Sequence, residues 1–262
     1  MTDADRAALV AAAEAAADAA GASIRPHFRT GLAADLKDDQ SPVTIADRTA
    51  EQAMRAVLRG RFPKHGIIGE ELAAENPGAR LRWVLDPIDG TRAFITGRPM
   101  FGTLIALLDG ARPVLGVIDQ PITAERWIGV AGARTIFRGP FGGSAGARPC
   151  GTLDRAELSA TAPDMFSEAD ARRWRGLAGA VRRVSWGGDC YAYGLLALGQ
   201  IDVIAEASLK LWDWAALLPV IQGAGGCVTD WEGRALRRDG DGRVLALGDP
   251  ALLMAAVSSL AA

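Results

Sequence analysis

Four acidic residues stand where apolar runs of this chain stop. Trp83-Val84-Leu85-Asp86-Pro87-Ile88-Asp89-Gly90-Thr91 reads as a buried strand ending in two carboxylates, a turn glycine and a hydroxyl. Pro87 stiffens the bend between Asp86 and Asp89, so two like charges are held close and repel. A hard divalent cation is the usual remedy. Gly90 and Thr91 follow where a helix can begin, and a helix start offers free backbone N–H groups to an anion such as phosphate. Metal on one side and phosphate on the other is the layout of metal-assisted phosphoryl hydrolysis. An Asx-rich turn capping a helix would use the same residues.

The other two acids come from distant segments. Glu70 closes the short apolar run Gly66-Ile67-Ile68-Gly69, and Asp213 sits between Trp212 and Trp214 at a helix entrance. With no lysine or arginine adjacent in sequence, burying these carboxylates together is costly unless cations join them. Carboxylates with a main-chain carbonyl, that of Ile88, suit Mg2+, which keeps several waters and takes further oxygens from phosphate. Two or three such ions would activate water, neutralise the phosphate and stabilise the leaving oxygen. Asp213 serves equally well as a helix N-cap. Asp47 and Thr91 form the next layer: a hydroxyl polarised by a second carboxylate can orient or deprotonate the attacking water. Asp47 also reads as the cap of the helix that runs on from Arg48. Lys37, in a polar loop, either reaches the site or is simply solvated.

These residues need elements to hold them. Alanine-rich composition predicts a long helix from about Thr2 to Phe28. A polar loop, Gly31 to Gln40, leads into Ser41-Pro42-Val43-Thr44-Ile45-Ala46-Asp47 and a second helix to about Arg59. From Gly102 to Val130, apolar runs broken by Asp109-Gly110 and Gln120-Pro121 predict an antiparallel meander. Gly139 to Gly146 reads as a loop or linker and a soft domain boundary. It divides a 1–140 half, with the antiparallel sheet and most of the acids, from a 141–262 α/β half with Asp213. In the second half, strands at Glu157–Ala160, Val184–Trp186 and Val203–Ala205 alternate with helices at Ser167–Ala180, Tyr191–Leu198 and Trp212–Ala224. That alternation predicts more parallel character.

Composition narrows the function classes. The 262 residues are 49% hydrophobic and 23% charged, with a net charge of −2 and no basic tract, which argues against a nucleic-acid binder. Cys150, Cys190 and Cys227 are widely spaced, with no CxxC or Cys/His cluster, so neither a disulfide framework nor a zinc site is expected and a reducing, cytoplasmic setting is. The first residues lack a signal peptide's pattern, and no membrane span or membrane partner is expected. His27 and His65 accompany no nucleophile motif, so water is the expected nucleophile. Trp186 and Trp212 are expected to line the pocket.

Gly69-Glu70-Glu71, Asp86 to Thr91 (DPIDGT), Trp212 to Gly226 (WDWAALLPVIQGAGG) and the SPVTIAD segment, in that family's order along the chain, resemble the inositol monophosphatase superfamily of lithium-sensitive, Mg2+-dependent phosphatases. The resemblance implies an α/β, layered αβαβα sandwich of the inositol monophosphatase and sugar phosphatase type, commonly a homodimer. It implies Glu70, Asp86, the Ile88 carbonyl, Asp89 and Asp213 as metal ligands, Gly90 and Thr91 as the phosphate turn, and Asp47, Glu70 and Thr91 as the catalytic set. Mg2+ would be the cofactor, Mn2+ a substitute, and Li+ and Ca2+ inhibitors. Within the superfamily, Asp89 to Pro99, Ser159 to Phe166 and Gly187 to Trp214 most resemble the histidinol-phosphate phosphatase branch. Such a substrate carries an ammonium and an imidazole, so its pocket should offer carboxylates. Asp189 and Glu206 could supply them, Glu206 at the family position that contacts the organic part of the substrate. Asp189 is equally a turn residue after two glycines. Arg92 could help hold the phosphate or be solvated. The alternatives are an inositol-1-phosphatase, a broad sugar-phosphate or nucleotide phosphatase, and a non-catalytic phosphometabolite sensor.

Overall fold

The computed structural model describes residues 3–36 and 42–261. The chain opens with α1 (Asp3–Ile24), which gives way to a 3-10 turn at Arg25–His27 rather than continuing to Phe28. Pro26 is the physical reason, since it has no N–H to continue the helical bonds. The short antiparallel pair β1 (Asp35–Leu36) and β2 (Pro42–Val43) precedes α2 (Ile45–Arg61). Ala12, Ala13, Ala16, Ala17 and Ala20 are fully buried, so α1 packs closely on α2 and on the sheet beneath. By length and composition alone α1 is apolar enough to cross a membrane. Its alanine stripe is core, however, and its acids are tied to the sheet: Asp18 accepts from Arg126 at 2.7 Å, and Glu14 from Arg138.

Six strands follow: β3 (Gly66–Gly69), β4 (Leu81–Asp89), β5 (Gly102–Asp109), β6 (Arg112–Gln120), β7 (Glu125–Val130) and β8 (Ile136–Arg138), with the short helix α3 (Thr91–Ile95) after β4. They form one sheet in sequence order. The expected meander is there as antiparallel β5, β6 and β7, while β3 pairs with β4 in parallel, a feature that two short apolar runs could not announce. The β4–β5 register slips between Asp86 and Asp89, where Pro87 cannot donate to a ladder. The Thr103 hydroxyl donates to the Pro87 carbonyl at 2.8 Å and holds the bulge.

The second sheet is built from β9 (Glu157–Ala160), β10 (Arg183–Trp186), β11 (Val203–Glu206), β12 (Cys227–Thr229) and β13 (Val244–Leu247), in the order β10-β9-β11-β13-β12. β10, β9 and β11 are parallel; β13 runs antiparallel to both its neighbours. Its helices are α4 (Glu168–Ala180), α5 (Asp189–Ala197), α6 (Leu211–Trp214), α7 (Leu217–Gly223) and α8 (Leu253–Ala261). Strands β12 and β13 and helix α8 were not expected from the sequence. The single helix expected over Trp212–Ala224 is in fact two, α6 and α7, because Pro219 has no N–H for the Ala215 carbonyl.

The result is five layers: α1 and α2, the six-stranded sheet, α5 and α7, the five-stranded sheet, then α4 and α8. The αβαβα sandwich is the fold. The central helical layer touches both sheets, and α7 sits so low on the first that two strand positions admit no side chain. A Cβ on Gly116 would lie 2.0 Å from the Ala216 carbonyl oxygen, and one on Gly129 2.3 Å from the Val220 nitrogen.

Candidate active site

The bulge that ends β4 turns Asp86 and Asp89 toward α6. Asp86, Asp89 and Asp213 each place a carboxylate oxygen so that all three lie within 4.8 Å of one another. Asp86 is fully buried and its Oδ1 has no hydrogen-bond partner among the described residues. Asp89 Oδ2 accepts from the Cys190 N–H at 2.6 Å, at the start of α5. Asp213 Oδ2 accepts from the Lys210 N–H at 2.6 Å, so this acid caps its own helix and also faces the cluster. The two readings of Asp213 are thus compatible. Glu70 leaves the end of β3; its N–H donates to the Leu85 carbonyl at 3.1 Å, and its carboxyl meets that of Asp86.

Burial, then repulsion from Glu70, Asp89 and Asp213, pushes the Asp86 carboxyl well above the usual range. Asp89 is raised likewise by burial and by Asp189 and Asp213. Asp213 is pushed up to about 7, by burial first, with Glu70 and Glu206 adding to it. Four clustered carboxylates offering only oxygen, one of them a buried oxygen without a partner, fit a hard divalent cation such as Mg2+.

Asp47 stands beside this cluster on the first turn of α2. Its Oδ2 accepts from the Thr44 N–H at 2.8 Å and hydroxyl at 2.6 Å, and its Oδ1 lies 3.4 Å from the Thr91 hydroxyl oxygen. Burial raises its pKa, with Glu70 adding to the shift. The Thr91 hydroxyl also lies 3.1 Å from the Ile88 carbonyl oxygen, which brings Asp47, Ile88 and Thr91 into one chain of contacts. Gly90 starts α3 at φ +96°, and a Cβ there would lie 2.9 Å from Asp189 Cγ. Only glycine suits that position.

Next to the carboxylates is a cavity of about 240 Å3, lined by Asp89, Asp189, Tyr193, Glu206, Asp213 and Thr161 among others. Glu206 is fixed there: Oε1 accepts from the Thr161 N–H at 2.6 Å and Oε2 from the Tyr193 hydroxyl at 2.7 Å. Asp189 follows two glycines with φ of +95° and +123° and itself has φ +43°, an uncommon conformation for a residue with a side chain. Among the described residues its carboxyl has no such anchors, and burial with the Glu206 charge pushes it up to about 7 against the pull of Arg92. Arg92 is engaged at the surface, donating to Asp164 at 2.8 Å.

Trp186 and Trp212, expected in this pocket, do not line it. Trp186 packs on Trp174 with ring centres 4.5 Å apart, and Trp212 faces an adjoining cavity of about 700 Å3 with Lys210 and Arg238. An apolar ring near a motif in sequence says nothing of which side of the strand end it faces. Sequence reasoning also passed over Thr161, Cys190, Tyr193 and Lys210; of these only Tyr193, one helical turn beyond Asp189, carried a usable signal. His65 stacks on Phe62 at 4.7 Å, away from the cluster. Lys37 lies outside the described residues.

The Inositol monophosphatase family model matches residues 5–260. The chain belongs to the inositol monophosphatase family. A bifunctional phosphatase, IMPL2, of Arabidopsis thaliana chloroplasts is 48% identical over 89% of this chain and 66% of its own length, so the chain spans just under two thirds of that protein. A histidinol-phosphatase of Chlorobaculum parvum is 38% identical over 88% of each chain. The structure of an inositol monophosphatase from Zymomonas mobilis superimposes over the full length of both chains, with a TM-score of 0.89 and 46% identity. Membership in this family supports phosphoric monoester hydrolysis as the activity class.

Proposed function

We propose that this protein is a Mg2+-dependent phosphomonoesterase that converts L-histidinol phosphate and water to L-histidinol and phosphate, in histidine biosynthesis. The observation that carries the substrate is the second acidic pair, Asp189 and Glu206, in a cavity that opens beside the carboxylate cluster. The phosphate end of any substrate would lie at the Gly90–Thr91 turn, and its organic part would then pass Asp189, which lies against Gly90 and has no anchoring hydrogen bond among the described residues, on the way to Glu206. An ammonium or imidazolium satisfies that group; an uncharged polyol does so less well.

Glu70, Asp86, Asp89, Asp213 and the Ile88 carbonyl would hold two or three ions. When bound, Mg2+ would acidify water and screen the phosphoryl oxygens. The chain's own part is to place the attacking water. Thr91 Oγ1, held between Asp47 Oδ1 and the Ile88 carbonyl, would accept a hydrogen bond from it and so fix its direction of attack. Mn2+ would substitute, and Li+ and Ca2+ would inhibit. A homodimer and a reducing, cytoplasmic setting complete the reading, the latter supported by Cys150, Cys190 and Cys227 all being free thiols.

A second reading, an inositol-1-monophosphatase or a broader sugar-phosphate or nucleotide phosphatase, is favoured by the 46% identity to the Zymomonas mobilis inositol monophosphatase. Phosphate release from L-histidinol phosphate and from myo-inositol 1-phosphate, compared as kcat/KM in Mg2+ and in EDTA, separates the two. A preference of ~100-fold for histidinol phosphate, about 2.7 kcal/mol of transition-state discrimination, is expected. Comparable rates would favour the second reading, and no hydrolysis of either ester, with Mg2+-dependent binding retained, would indicate a phosphometabolite sensor.

A further inference from the structure

Away from the carboxylate cluster, α2 buries an ion pair that hydrolysis itself does not use. Glu51 is wholly buried and Arg55 is 2% exposed, one helical turn apart. They continue the stripe that begins at Asp47, since residues four apart share a helix face. Every nitrogen of the Arg55 guanidinium has a hydrogen-bond partner. Nε donates to Glu51 at 2.8 Å, and Nη2 reaches Glu51 at 2.7 Å and the Leu72 carbonyl at 3.0 Å. Nη1 donates to the Ala73 carbonyl at 3.0 Å and to Glu75 at 2.9 Å. Glu51 Oε2 in turn accepts from the Glu71 N–H at 2.8 Å. On the other side, a Cβ on Gly69 would lie 2.0 Å from Glu51 Oε1, so the strand end closes directly over the carboxylate.

Apart from the Glu51–Arg55 pairing itself, these contacts go to one stretch of chain, residues 69–75, three of them to its backbone, and that stretch carries Glu70. The stretch is otherwise an irregular crossover between β3 and β4, whose backbone ties among the described residues include the Glu70 N–H to Leu85 and a Glu75–Ile67 bridge. A buried ion pair is weak evidence for stability, because two apolar residues of similar volume often do as well. It is better explained by what it fixes. We infer that Glu51 and Arg55 are positioning residues that clamp the 69–75 backbone and so hold the Glu70 carboxylate at the position from which it serves the cation site. This rests on Glu70 being a ligand, as proposed above. The clamp acts through the backbone, so its loss should cost metal affinity more than fold.

The test is direct Mg2+ binding to the metal-free full-length protein by calorimetry, beside amide hydrogen exchange of residues 69–75. Glu51→Gln paired with Arg55→Met removes both charges together and avoids leaving one buried alone. Arg55→Lys keeps the charge while losing the fork that grips Leu72 and Ala73. For the double variant the expected result is a Mg2+ Kd raised at least ~10-fold, faster exchange across 69–75 only, and a Tm close to that of the parent. Arg55→Lys should fall between. If the parental Kd and exchange persist in the double variant, the inference is wrong. Glu70→Gln is measured in parallel: an unchanged Kd there would remove Glu70 from the ligand set and overturn both readings, whereas a weakened Kd there with a parental Kd in the clamp variants would sink this inference alone.

Discussion

Asp86 and Asp213 each sit in a site that is electrostatically unfavourable until a cation arrives, and that gives their substitutions a paired signature. Asp86→Asn or Asp213→Asn should reduce turnover to less than a tenth of the parental rate, because an oxygen ligand is weakened. In EDTA near pH 8 the same changes should raise Tm by ~2–4 °C, since each removes one of several mutually repelling buried charges. Turnover assays with scanning calorimetry check both halves, and a Tm that falls in EDTA would mean the carboxylates are not frustrated without metal. On the cavity wall beside Gly90, Asp189→Asn should raise KM for histidinol phosphate by ~10-fold or more while barely changing KM for inositol phosphate. Equal effects on both esters would return Asp189 to the role of a turn residue. At this scale the sequence was most readable where a residue's type alone implies its chemistry, as at Asp86, Asp89 and Gly90. It was least readable at Glu51 and Arg55, which look like any exposed i,i+4 pair until the fold buries them.

Helix α7 shows how far an element can control residues it does not contain. It rests directly on Gly116 of β6 and Gly129 of β7, and it continues the chain just beyond Asp213 on α6. Gly129→Ala would push its methyl group against the backbone of Pro219 and Val220. Lifting α7 should cost about 1–3 kcal/mol of stability and should weaken Mg2+ binding by displacing Asp213. A denaturant melt and a calorimetric Kd read the two effects; a lower stability with unchanged Kd would show that α6 is held independently of α7. The elements legible in the sequence were those with their own periodicity or punctuation, such as α2, the β5–β7 meander and the strand–helix alternation from Glu157. Strands β12 and β13 are short and separated by a charged loop, and the parallel pairing of β3 exists only because of a tertiary contact. The division of Trp212–Ala224 into α6 and α7 was legible in principle at Pro219.

For the molecule as a whole, the raised carboxyls make stability depend on pH in a direction opposite to ordinary acid denaturation. Asp189 and Asp213 titrate near 7 in the metal-free fold and near 4 in an unfolded chain. Between those values the folded state binds more protons, so stability is fullest below about pH 4 for these groups and is lost as pH rises through about 7. Asp86 and Asp89 are raised in the same direction by burial and by their acidic neighbours, and so add to the loss. Tm in EDTA should therefore fall from about pH 5 to about pH 8, and saturating Mg2+ should flatten the slope. A metal-free Tm that is constant or rises over that range would contradict the arrangement. The αβαβα layering itself was available from motif order by resemblance; the distribution of work between its layers was not.

The three clustered aspartates come from a strand of the first sheet and from a helix that the chain reaches only after three of the five strands of the second. No fragment ending before residue 211 can assemble the constellation, however well its first sheet forms. During synthesis the growing chain thus carries the proposed phosphate turn at Gly90–Thr91 long before Asp213 is made, and on the proposed metal assignment an unfinished product would be inert toward phosphate esters.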